Sequence, residues 1–211
     1  MLFSGRSYYN ILIFNDLRDG KFADGRWESF DYRQMSLSEI FFSLEKLGVY
    51  LTIESFLGYS EVIDTPEELT DKLHYENGDS KRKIYLLVFE LWRRLLPDRK
   101  TISIVCDELD HTIATYETHQ ADANLYEGLI GVLEILHRNA PFSEAPSELF
   151  KRLSLYIAHD LENVIFTYIE SKIGSPEEEK MLLLLDAFLP FVGKERALKL
   201  IKLTSLTADQ N

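Results

Sequence analysis

From residue 36 onward, apolar side chains recur at the three- and four-residue spacing of amphipathic helices. Ser36 and Glu39 form a capping-box pair ahead of Ile40, Phe41, Leu44 and Leu47, and Gly48 is a stop signal. Thr65, Pro66 and Glu68 supply a stronger start: a hydroxyl cap, a proline at the first helical position and a glutamate three residues after the cap. That helix is expected to end near Asn77-Gly78. The next runs from Asp79 or Ser80 to about residue 96, closed by Pro97.

Residues 101–118 and 121–138 predict a helical hairpin with a very short link. Residues 139–147 hold two prolines and read as a linker, followed by a long helix from about residue 147 to Gly174. Ser175-Pro176 opens a further helix to Pro190, and Gly193-Lys194 opens a last short one to about residue 203. The pattern therefore predicts an all-α chain, a bundle or short irregular array of about eight mostly antiparallel helices. No fixed repeat period is visible by inspection.

Residues 1–35 differ. Residues 8–14 are aromatic and β-branched, Asp19-Gly20 and Asp24-Gly25 are turn signals, and residues 27–32 are again aromatic. This reads as an irregular or β-hairpin arm, with a short helix over residues 7–18 as the alternative. Its aromatics could pack on the helical domain or form part of an interface. The expected organisation is thus an arm at 1–35 and a single helical domain at 36–211, with a possible sub-boundary at 139–147.

Composition narrows the function classes. A net charge of −12 argues against direct binding to nucleic acid or an anionic membrane, both of which need a basic footprint, and favours a basic protein partner. One cysteine forms no internal disulfide, which fits a reducing compartment. The residues after Met1 lack a signal peptide's order, and the apolar run within 181–192 is broken by Asp186 and Pro190, so a cytoplasmic location is expected.

Charge is unevenly placed. Between residues 101 and 137 there are seven carboxylates, three of the five histidines, Cys106, and no lysine or arginine. On a helical projection at about 100° per residue, Ile102, Val105, Cys106, Leu109, Ile113 and Tyr116 share one stripe. Asp107 and His111 fall opposite, while Asp110 and Glu117 flank one side. Glu127 and Glu134 point away from the second helix's apolar stripe. Cys106 faces inward and reads as an inert small hydrophobe.

Three kinds of chemistry compete for these residues. Glu108 with His111 and Glu134 with His137 are two Glu-x-x-His pairs, the spacing used by carboxylate-bridged metal sites in bundles. Their projected faces and register argue against convergence, and no cofactor is expected. Asp160 projects onto an inward stripe with Leu153, Ile157, Leu161 and Val164, making it the candidate buried acid; Asp186 is a second. No phosphate-loop, dinucleotide, nucleophile-elbow or zinc motif is present.

The reading that follows is a non-enzymatic protein-binding module (adaptor, chaperone-like factor or inhibitor). Its acidic hairpin would dock a basic partner through Asp107, Asp110, Glu117 and Glu127. The alternatives are a helical enzyme with a metal or carboxylate site, and an acidic surface that imitates nucleic-acid phosphates.

Overall fold

A computed structural model describes residues 32–75, 80–119, 122–138 and 145–208, and the regular elements among them are all helices, with no strand among the described residues. The arm expected at 1–35 lies outside them, apart from a 3-10 turn at Tyr32–Gln34. The chain divides into two compact units, Met1–Asp107 and Glu108–Asn211.

In the first unit, α1 (Leu37–Lys46) begins as its sequence predicts. Ser36 accepts the Glu39 N–H, and the Glu39 carboxylate accepts the Ser36 N–H at 2.7 Å. Gly48 at φ 80° turns the chain out of the helix, a conformation that favours glycine. α2 (Ile53–Ser60) follows a second reciprocal cap between Thr52 and Ser55. α3 (Pro66–Lys72) starts on the Thr65 hydroxyl, which accepts the Glu68 N–H.

α4 (Lys81–Leu95) is the centre of this unit. Every residue from Ile84 to Trp92 is buried, and α1, α3 and the 3-10 turn pack on it. Trp92 meets Phe56 edge-on at 6.2 Å, and its indole N–H donates to the Arg99 carbonyl at 3.0 Å. Arg99 lies over the Trp92 ring at 5.3 Å and donates to the carbonyls of Ser60 and Ile63, which ties α2 and its exit to the end of α4. Truncating a side chain such as Trp92 in a core of this kind costs about 3–5 kcal/mol.

The division between the units falls within α5 (Ile102–His119). In the second unit, α5 continues into α6 (Asp122–Arg138), α7 (Pro146–Tyr156), α8 (Leu161–Glu170), α9 (Glu178–Phe188) and α10 (Lys194–Ala208). A Cβ at Gly128 would sit 3.3 Å from Thr112 Cγ2, so the small residue lets α6 lie close against α5. α6 packs on α7 and α9, and α8 packs on α9. Phe150 sits between Phe191, stacked at 5.7 Å, and Phe188 at 6.3 Å, joining α7 to the end of α9.

Ten α-helices are described where about eight were expected. α2 was overlooked because it is short, contains Gly58 and caps with Ser55 in place of a carboxylate. The long helix expected from residue 147 to Gly174 is two helices, since Ile157 is extended (φ −75°, ψ 153°) and α8 begins anew at Asp160. α3 ends at Lys72, earlier than Asn77-Gly78, and α10 continues to Ala208.

Candidate functional site

The carboxylates of the acidic stretch separate into an interior set and an exterior set, and the division corrects the helical projection. Asp107 and Asp110, expected on or beside the outer face, are buried at 0% and 1% exposure. Asp107 pairs with Arg33 from the 3-10 turn. Asp110 accepts the Ala158 N–H through both oxygens, at 2.9 and 3.0 Å, and lies 2.8 Å from His159 Nδ1. Buried carboxylates need such partners, because an unpaired one would cost several kcal/mol. Both aspartates are therefore structural ties inside their units, and neither is presented to a partner.

Asp160 is corrected in the opposite sense. It is exposed and caps α8, accepting the Asn163 N–H at 2.9 Å, where a carboxylate also favours the positive end of the helix dipole. The projection failed because it assumed one continuous helix through residues 157–160. Asp186 is exposed as well. α9 buries one face, Met181, Leu184, Leu185 and Phe188, and Asp186 lies off it. Cys106 is fully buried.

On the exterior lie His111, Glu117, Glu127, Glu134 and His137, with Glu108 half-buried. His137 Nδ1 donates to the Leu133 carbonyl at 2.7 Å, and its ring meets Phe191 edge-on at 6.3 Å, so helix and neighbour orient it. Among the described residues, no group of three or more His, Cys, Asp or Glu side chains is placed to hold a metal ion, and Glu108, His111, Glu134 and His137 are not assembled as a ligand set. On α6, Glu127 and Glu134 stand seven residues apart. They share a face about 10 Å long. Gly131 lies between them, with open space where a side chain would be.

The first unit also holds a polar network that the sequence pattern does not announce. Tyr85 on α4 donates to Glu67 Oε1 at 2.9 Å, Ser103 also hydrogen-bonds Glu67, and Ser103 Oγ is 2.9 Å from Thr101 Oγ1. Burial raises the Glu67 pKa above its usual 4.5, against the lowering effect of its hydrogen bonds. Burial, with the nearby charges of Glu67 and Asp107, raises the Tyr85 phenol well above 10.0, so it is held as a neutral donor. Glu67 was visible in sequence as part of the Thr65-Pro66 cap, but nothing local to it announces Tyr85 or Ser103. Every member of this network is hydrogen-bonded within it, which suits a fixed tie between α3, α4 and the start of α5.

A fourth interior acid, Glu90 on α4, is buried at 0% exposure and held by Arg93 at 2.6 Å and Arg94 at 3.1 Å. Arg94 also donates to the carbonyls of Tyr32, Arg33 and Met35, binding the 3-10 turn to α4.

The chain matches no family model, no curated protein and no solved structure. No described helix is long and apolar enough to cross a membrane.

Proposed function

We propose that this is a non-enzymatic protein-binding helical module that docks a basic partner through the outer carboxylates of the α5–α6 hairpin. The docking residues are Glu117 and Glu127, with Glu134 added from the same face of α6. Asp107 and Asp110 belong to the scaffold that holds the hairpin. The observation that carries the reading is the exposed Glu127–Gly131–Glu134 strip, which offers two carboxylates on a helix face left low by a glycine. A net charge of −12 adds a long-range field that draws in a basic surface. The interior acids Glu67, Glu90, Asp107 and Asp110 are engaged in ties within their own units, so the exposed carboxylates carry the recognition; Glu117 among them also lies 3.9 Å from His159 Nε2.

The test is affinity capture from native lysate at low and high salt, with wild type beside a Glu117→Gln/Glu127→Gln/Glu134→Gln variant. The expected catch is a basic protein retained by wild type at low salt and lost both at high salt and with the variant. Equal capture by the two proteins would exclude this face.

A further inference from the structure

Among the described residues, six of the ten exposed large apolar side chains fall within one short stretch of the first unit: Phe42, Tyr50, Ile53, Leu57, Tyr59 and Val62. The remaining four lie in the second unit, Leu155 and Leu183 singly and Leu198 and Ile201 three residues apart on α10. The concentration centres on α2. This helix buries Phe56 and Ser60, four residues apart, and turns the opposite side outward.

Ile53 and Leu57 border the buried pair along one edge, Glu54, Gly58 and Glu61 lie further round on the side away from it, and Val62 follows in the turn after the helix. Ile53 is 42% exposed, Leu57 39% and Val62 77%, and both glutamates are exposed. Nothing lies within 4 Å of where a side chain would begin at Gly58, so the helix surface beyond Glu54 and Glu61 is bare there. Glu54 is kept ionised, its pKa lowered by its own backbone N–H and by the Thr52 hydroxyl. An apolar strip edged by fixed negative charge is complementary to a helix with leucine-like anchors on one face and lysine or arginine alongside.

We propose that the exposed face of α2 is a second docking site, which takes a basic amphipathic helix from another protein with its apolar residues on Ile53 and Leu57 and its cations on Glu54 and Glu61. The site is separate from the α6 carboxylate strip and does not depend on it. Apolar anchoring fixes the affinity, and the glutamates set the direction of approach and the salt dependence.

The experiment uses the full chain and a fluorescent leucine/lysine peptide of about 18 residues, roughly five helical turns, patterned to be amphipathic. A peptide of equal charge with alanine for every leucine is the control. The leucine peptide is expected to bind, with affinity reduced about tenfold or more by Ile53→Ser/Leu57→Ser and a weaker salt dependence in Glu54→Gln/Glu61→Gln. Glu54→Gln/Glu61→Gln should keep the wild-type melting temperature; Ile53→Ser/Leu57→Ser also gives up partly buried apolar surface and should melt lower, so its binding is read at a temperature where the variant is folded. Gly58→Cys carrying a benzophenone should crosslink to the peptide; Cys106 is fully buried and does not compete for the label.

Equal binding of the alanine control, or undiminished binding by Ile53→Ser/Leu57→Ser, would overturn the proposal. Binding lost only with Glu127→Gln/Glu134→Gln would move the peptide to α6, leaving the proposed function standing and this site refuted. Crosslinks to residues 1–31 of the same chain, or to a second copy, would assign the face to those occupants and would equally refute it.

Discussion

Asp110 holds the N–H of Ala158, 48 residues along the chain, with both of its carboxylate oxygens, at 2.9 and 3.0 Å. Ala158 sits in the break between α7 and α8, where the helical ladder leaves backbone donors unmatched. The carboxylate meets that need, and Asp160 caps the helix that follows. Asp110→Ala should therefore destabilise the protein by about 2–4 kcal/mol, since it strands a backbone donor and a histidine contact together. Asp110→Asn keeps an acceptor for Ala158 and should cost about 1 kcal/mol. Chemical denaturation of the two variants, compared at one pH, measures both.

Glu67 gives the first unit a specific pH response. Its folded pKa lies above the unfolded value of 4.5, so between the two the folded state holds the proton more tightly. Stability then falls as pH rises from 4.5 through the folded pKa, and above that the full penalty of ionising a desolvated carboxyl applies. Glu67→Gln removes the titration. Its unfolding free energy should lack this part of the slope, and the variant should gain on wild type as pH rises through that window. Parallel pH–stability curves for the two proteins would refute the assignment.

Tyr85→Phe tests the same network from the other side. Loss of the phenol donor leaves Glu67 with one partner fewer, and the expected cost is about 0.5–1.5 kcal/mol by denaturant titration. The phenol stays protonated throughout the accessible range, so the cost should not itself depend on phenol ionisation.

Arg94 joins Glu90 to three carbonyls of the 3-10 turn, so a single side chain serves both a buried acid and the entry to the helical region. Arg94→Met keeps the stem and removes the donors. The variant should lose about 2–4 kcal/mol, because Glu90 remains buried with Arg93 alone. Hydrogen exchange should show the loss first at residues 32–36, where unfastening the turn lowers local stability.

Sequence pattern carried the helices that announce themselves locally. The Ser36–Glu39 box, the Thr65-Pro66 start and the stop at Gly48 all depend on residues within one turn of each other, and all are present. The break at residues 157–160 depends on Asp110, far away in sequence, and the intervening Tyr-Ile-Ala-His-Asp run contains neither glycine nor proline. The same distance defeated the site reading. A helical projection ranks faces by apolar content, so it turned Asp107 outward; it had no knowledge of Arg33 on an element outside α5. Exterior residues such as Glu127 projected correctly, because solvent asks nothing of them beyond charge.

The most direct measurement of the central claim is the association rate of the captured partner as a function of salt, for wild type and for Glu117→Gln/Glu127→Gln/Glu134→Gln. Steering by the hairpin's carboxylates predicts a wild-type rate that falls steeply with salt, and a variant about tenfold slower at low salt with a flatter dependence. Superimposable rates at every salt concentration would contradict the account.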